Sequence, residues 1–346
     1  MVVRNIIPGL AFAAALAVAA RFVYQATGEA VSPTLVAIMA GVLWRNLLGV
    51  GVWAGPGLEF AGQTLLRIGI ALIGLRLTLM TLADVSIIAI PIVLACVTVA
   101  VSTALWLGRA LGVDLTMRRL LAVGTAICGC TAIIASAPLF HARKADVGIA
   151  MTCVVLFGSI AMMGYPWIAG AVFGADIRAA GMFFGASIHD TSQVIGAAMI
   201  HADWHAAPDV VAMAGLTKFL RTLGLLLLVP LAAWLAARED APVEGTAGLR
   251  KKAVPAFVIG FLVLVVTRTV GDAMVGAAGG QAEQWKQCLA AGQIASEWLL
   301  LVGMAAVGLG VTFAHVREAG WRPVLLAFVA ALLVGVTALG LISAAT

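Results

Sequence analysis

Long apolar stretches alternate with short polar breaks along this chain. Eleven stretches stand out, at residues 6–24, 33–48, 62–82, 85–107, 120–140, 147–173, 179–201, 210–236, 254–270, 290–313 and 323–343. A helix needs about 20 apolar residues to cross a hydrocarbon core of about 30 Å. The pattern therefore predicts an all-α polytopic transmembrane helix bundle of about 11 spans. The first stretch follows Arg4 and ends in Ala-rich sequence, as a secretory signal does. Another apolar stretch begins near Pro33, so Ile6 to Tyr24 reads as the first span of an array. One connection is conspicuously polar, Arg238 to Lys252, and reads as a solvated linker. The expected organisation is a single transmembrane domain over 1–346, with a first half at 1–140, central spans at 141–209 and a second half at 210–346.

Composition strengthens this picture. Of 346 residues, 63% are hydrophobic and 11% charged, where a soluble domain carries about 25% charged residues. The net charge of +5 sits mainly in short loops, where it reports topology and points to no nucleic-acid partner. With the N-terminus in the cytoplasm, twelve loop Lys and Arg residues fall on that side and six on the other. The positive-inside bias thus predicts an N-in, C-out topology. Cys96, Cys128, Cys130 and Cys153 lie in apolar segments and Cys288 does not. Small buried hydrophobes are the expected reading, because the Cys128–Cys130 pair lacks the further ligands that a zinc site needs. No metal or other cofactor is expected.

A repeat runs through the chain. Leu66 to Leu79 reads LRIGIALIGLRLTL and Leu300 to Phe313 reads LLVGMAAVGLGVTF, with six of fourteen positions identical. The matches include Leu66/Leu300, Gly69/Gly303 and Gly74/Gly308, and each copy is followed by an acidic residue, Asp84 or Glu318. Shared bias toward Gly, Ala and Leu is the bland explanation; the matched glycine spacing favours a true repeat. The copies are the third and tenth spans, so they are expected to cross in opposite directions. Inverted repeats of this kind characterise many secondary transporters.

Three polar patches interrupt the apolar pattern. In the fifth span, Gly124-Thr125-Ala126-Ile127-Cys128-Gly129-Cys130-Thr131-Ala132 is a run of small residues. Two readings stand: close helix packing, or a helix broken at Gly129 whose second half offers free N–H groups near Cys130, Thr131 and Ala132 to an anion. Thr125 and Thr131 would add hydroxyl donors. In the seventh span, Ser187-Ile188-His189-Asp190-Thr191-Ser192-Gln193 is too polar for a lipid-facing helix and is expected to face a cavity. Continuous helical spacing would put His189 and Gln193 on one face. Asp190 and His189 are the coupling candidates, for a proton or a cation. In the eighth span, Lys218 and Arg221 share a face beside Thr217 and Thr222. An interior position with Asp190 as charge partner is expected, against the alternative that both snorkel to the interface. Arg67, Arg76 and Glu297 are further charges in apolar surroundings, with Arg67 and Glu297 expected to pair across the two halves.

The segments LRIGIALIGLRLTL, GTAICGCTAI, ASIHDTSQVIGAA and TKFLRTLGLLLLVP, in this order and spacing, closely resemble the YeiH-like (UPF0324) family of bacterial inner-membrane proteins, which are labelled sulfate exporters. The similarity runs from Ile7-Pro8-Gly9 through the final span. It implies an inner-membrane transporter, distantly similar to the bile-acid/sodium symporter and cation/proton antiporter architecture, with two broken helices crossing near the midplane. The departure is at Asp190, where the family often carries Glu; the carboxylate is kept but shortened.

These readings combine into an expected secondary transporter of a small anion, with export of sulfate the candidate that the family label implies, working by alternating access with proton or sodium coupling. The expected substrate-binding residues are Thr125, Cys128, Gly129, Cys130, Thr131, Ser187, His189, Thr191, Ser192, Gln193, Lys218 and Arg221, with Asp190 and His189 for coupling. The expected partners are the anionic solute, the coupling ion, the lipid bilayer and a second copy in a homodimer. The competing reading is an intramembrane enzyme using His189 as base with Ser192 or Cys128 as nucleophile.

Overall fold

The computed structural model describes residues 2–28, 31–223, 256–278, 282–312 and 320–346. Among these residues every regular element is helical. In chain order they are α1 (Val2–Ala26), α2 (Pro33–Leu47), α3 (Val52–Arg76), α4 (Leu79–Ala110), α5 (Leu115–Ala126), α6 (Cys130–Phe140) and α7 (Lys144–Phe173). There follow α8 (Ile177–Ser187), α9 (Thr191–His205), α10 (Asp209–Leu223), α11 (Ala256–Ala278), α12 (Ala282–Gly310) and α13 (Trp321–Ala345).

Seven of the described helices are long and apolar enough to cross a membrane: α1, α3, α4, α7, α11, α12 and α13. Among the described residues the eleven stretches fall largely on helices, but five differ from a plain span: residues 62–82 run past the end of α3 at Arg76, across Leu77 and Thr78, into α4. Residues 33–48 form the 15-residue α2, about 22 Å long at 1.5 Å per residue. Residues 120–140 and 179–201 are each interrupted, as α5/α6 and α8/α9. The stretch at 210–236 begins as α10 and continues outside the described residues, as do the linker 238–252 and Glu318.

The described residues pack into two compact units. The first comprises those within 1–84, 198–212 and 256–312, and the second those within 85–197, 213–223 and 320–346.

The repeat organises the first unit. Its copies lie on α3 and α12, which pack together. A Cβ on Gly69 would come within 2.9 Å of Leu300, and one on Gly303 within 2.7 Å of Leu66. Matched positions thus meet reciprocally, first residue of one copy on fourth residue of the other. Gly62 faces Ala306 and Gly292 faces Leu75. As the number rises along α3 it falls along α12, so the two copies run antiparallel, as an inverted repeat requires. The glycines remove the side chains that would hold the backbones apart, and Ser296 Oγ donates to the Gly69 carbonyl across the contact at 2.8 Å. A second matched pair extends the relation. Gly74 sits against the Phe261 carbonyl of α11, the helix before the second copy, and Gly308 against the Ile38 carbonyl of α2, the helix before the first. Arg67 is exposed and Glu297 binds Arg76 instead, at 2.9 Å, because the antiparallel register brings the end of α3 toward residues 292–297.

In the second unit, Leu120, Leu121, Ile133, Cys153, Val154 and Leu326 form a buried core where α5, α6, α7 and α13 meet. Cys96, Cys128 and Cys153 are buried as small apolar groups, and all five cysteines are free thiols.

Candidate functional site

The interruption between α5 and α6 follows from one residue. Gly129 adopts φ 60° and ψ −123°, a conformation open essentially to glycine alone. Ile127 leaves the helix at φ −120°, ψ −96°, and α6 restarts at Cys130. The interruption between α8 and α9 is built by side chains. Asp190 accepts from the Ser192 amide at 2.9 Å and from the Ser192 hydroxyl at 2.5 Å, and its own carbonyl takes the Val194 amide at 3.0 Å. It is the N-cap of α9, and Asp190-x-x-Gln193 matches the spacing of a capping box.

The two breaks face each other. A Cβ on Gly129 would lie 3.4 Å from Asp190 Oδ2. Behind them, the ends of α5 and α8 leave carbonyl groups that no helical N–H can reach. Lys218 and Arg221 of α10 answer these groups, both fully buried at 0% exposure. Lys218 Nζ donates to Ile127 and Ile188 at 2.9 Å each and to the His189 carbonyl. An ammonium has three N–H donors, so all three are used. Arg221 donates through Nε to Ala126 at 2.8 Å, through Nη1 to Ala186 at 2.6 Å and Ile188 at 3.2 Å, and through Nη2 to Thr125. Two cations at the negative ends of two helix dipoles are in favourable positions. They bind both first half-helices to α10. Gly185 of α8 makes room for this, since a Cβ there would meet the Ala214 carbonyl and Thr217 at 2.6 Å.

The structure thus places the interior cations where expected and gives them a different employment. Asp190, their expected charge partner, caps α9 instead. His189 lies between the helices, so it shares no helical face with Gln193; its ring is buried, with Nδ1 lacking a hydrogen-bond partner. Gln193 donates to the Val155 carbonyl at 3.0 Å and to Ser159 at 3.2 Å, leaving Oε1 buried without a partner. Gly158 of α7 makes room for that amide, which a Cβ there would strike. The hydroxyl of Ser187 turns back to the Phe183 carbonyl. Thr125 and Cys128 are buried, while Cys130, Asp190, Thr191 and Ser192 are half-buried and Thr131 is exposed.

The site therefore has two sides. Carbonyl ends and cations lie inside the second unit. The starts of α6 and α9, with Cys130, Thr131, Asp190, Thr191 and Ser192, lie on its accessible side. Ser192 Oγ is hydrogen-bonded to Asp190 and not to His189. Two residues of this arrangement, Gly158 and Gly185, escaped the sequence reading, because nothing local marks a glycine as the seat of another helix's side chain.

Comparison with known proteins fits this architecture. A family model described as conserved hypothetical protein 698 matches residues 8–327. The UPF0324 membrane protein TauZ of Paracoccus denitrificans is 33% identical over 316 residues, covering 90% of this chain and 88% of its own. TauZ of Paracoccus pantotrophus is 31% identical over 321 residues, covering 92% and 89%. The UPF0324 membrane protein PA5383 of Pseudomonas aeruginosa is 30% identical over 342 residues, covering 94% and 90%. No solved structure matches. With long apolar helices throughout and alignment over nearly its whole length, the chain is a multi-pass membrane protein that belongs to the UPF0324 family.

Proposed function

We propose that this protein is a secondary transporter of a small anionic solute, with sulfate the first candidate, coupled to a proton or sodium gradient across the bacterial inner membrane, its N-terminus cytoplasmic. The observation that carries the reading is the pair of facing helix breaks within two apolar stretches. Interrupted backbone is tolerated at membrane depth only where it is buried in protein or lines a cavity, and broken helices form the solute and ion sites of many secondary transporters. The antiparallel, reciprocally packed repeat supports it, since related inverted halves supply two alternative arrangements of one bundle.

The geometry suggests a division of labour. Lys218 and Arg221 hold the breaks in shape, and their charge reaches the site through the carbonyl ends they neutralise. The solute meets the other side: first-turn amides of α6 near Cys130 and Thr131, and the hydroxyls of Thr131 and Thr191. Asp190 stands beside these donors, and its negative charge repels an anion. A proton on Asp190 removes that repulsion, which makes proton and anion binding mutually favourable, and this linkage is what coupled carriage requires. The enzyme reading is less well supported, because a serine nucleophile must sit within hydrogen-bond reach of its base and Ser192 is engaged by Asp190.

The reading is tested by flux of radiolabelled sulfate from proteoliposomes of the purified protein, with pH or sodium gradients imposed and unlabelled anions as competitors. Gradient-driven, competable flux supports it. A folded protein that moves no anion and is competed by none refutes it.

A further inference from the structure

The first unit contains a cavity of about 150 Å³, its wall more apolar than polar, that plays no part in the site above. It is lined by Arg21 of α1, Thr34 of α2, Arg76 of α3, Asp203 of α9, and Ser296 and Glu297 of α12. Asp203 is half-buried and ties α9 to the start of α2: Ser32 Oγ donates to its Oδ2 at 2.5 Å. That hydroxyl oxygen accepts the Leu35 amide at 3.2 Å as the N-cap of α2. Thr34, at 0% exposure, lies against the same carboxyl group, so two hydroxyls at the start of α2 converge on Asp203.

The surrounding charges narrow the choice. Arg76 is engaged by Glu297 at 2.9 Å and by Asp209 of α10 at 3.5 Å, so it is not free to hold a second anion. Arg21 is exposed, its guanidinium over Tyr24. On α9 itself, His201 and His205 stack on each other at 4.4 Å. Glu297 is thus paired with Arg76, whereas the close partner of Asp203 is the Ser32 hydroxyl, with Arg21 acting on it by charge alone. We infer that Asp203 binds a proton in this cavity and that its protonation state sets how firmly the end of α9 is tied to the start of α2. A neutral carboxyl group accepts weaker hydrogen bonds from these hydroxyls than a carboxylate does, so protonation loosens the tie. Because α9 starts directly after Asp190 and carries Asp203 near its end at His205, one helix carries this proton site and borders the candidate solute site. The inference adds a proton site to the proposed transporter and does not depend on which solute is carried.

Infrared difference spectroscopy of the purified full-length protein between mildly acidic and alkaline pH tests it. Wild type is expected to show a protonated-carboxyl C=O band at acidic pH that disappears in Asp203→Asn and persists in Asp190→Asn. Ser32→Ala, which removes a donor to that group, should move the band to higher frequency. Hydrogen exchange gives the second readout. Amides at the start of α2, including Leu35 and Val36, should lose protection on acidification of wild type after correction for intrinsic rates. Asp203→Asn should show the acid level at every pH. An unchanged band in Asp203→Asn, or protection at α2 that does not respond to pH in wild type, overturns the inference. Both readouts stand even if sulfate flux fails, so the two proposals can fail separately.

Discussion

Replacing Lys218 by methionine separates a clamp from a solute ligand. The side-chain volume is nearly kept, but the three N–H donors vanish. The Ile188 carbonyl retains Arg221 as donor at 3.2 Å, whereas the carbonyls of Ile127 and His189 lose the donor they share. Each buried acceptor left without a partner costs about 1–3 kcal/mol, so the gross loss is roughly 2–6 kcal/mol for the two. Methionine also removes the penalty of burying an ammonium, which offsets part of it. A net destabilisation on the order of 2 kcal/mol is expected. Arg221→Met strands three carbonyls, those of Thr125, Ala126 and Ala186, and should be the worse of the two. The assay is thermal unfolding in detergent followed by size-exclusion fluorescence, with sulfate added or withheld. The expected result is a lower midpoint for both variants without any solute, in the order Arg221→Met below Lys218→Met below wild type. Unchanged midpoints together with lost stabilisation by sulfate would refute the clamp and assign both cations to direct solute contact.

Three further outcomes follow from the same geometry. Gly129→Ala places a side chain at φ 60°, costing about 1–3 kcal/mol of backbone strain; thermal unfolding should show the loss, and a wild-type midpoint would mean that the break is not where it is drawn. Gly158→Ala drives a methyl group into the Gln193 amide, so flux should fall while the protein stays folded, and Gly158→Ala with full flux would remove Gln193 from the site. Gly69→Val and Gly303→Val push α3 and α12 apart at matched points of the repeat; both should lower the thermal midpoint by similar amounts, and a large difference between them would argue against a symmetric crossing.

Much of the architecture is legible in the sequence because membrane helices announce themselves by unbroken apolar length, and the repeat by glycines at matched positions. Gly129 was legible too, since glycine amid small residues in mid-span is a plausible place for backbone to turn. The second break was not read from its residues. His189-Asp190-Thr191-Ser192-Gln193 reads as polar helix facing a cavity because the surrounding apolar stretch is long enough for an unbroken span, although the Asp190-to-Gln193 spacing also fits a helix start. The use made of Lys218 and Arg221 lay beyond sequence reasoning for a different reason. Their acceptors are backbone carbonyls at residues 125–127 and 186–189, and a carbonyl leaves no mark on the identity of its residue. Asp203 stood near the end of an apolar stretch, where an acidic residue looks like an ordinary interface group; only the fold brings Ser32 and Thr34 to it. The pairing of Glu297 with Arg76 in place of Arg67 was likewise a matter of helix register.

Coupled anion carriage through the facing breaks is tested most directly at Asp190. Radiolabelled sulfate flux in proteoliposomes should be measured for wild type and Asp190→Asn, once under an imposed pH gradient and once as exchange with no gradient. Wild type should show gradient-stimulated flux, and Asp190→Asn an exchange that continues while the gradient no longer accelerates it. Gradient stimulation that survives in Asp190→Asn, or wild-type protein that is folded and moves no anion under either condition, would contradict coupled carriage through the breaks.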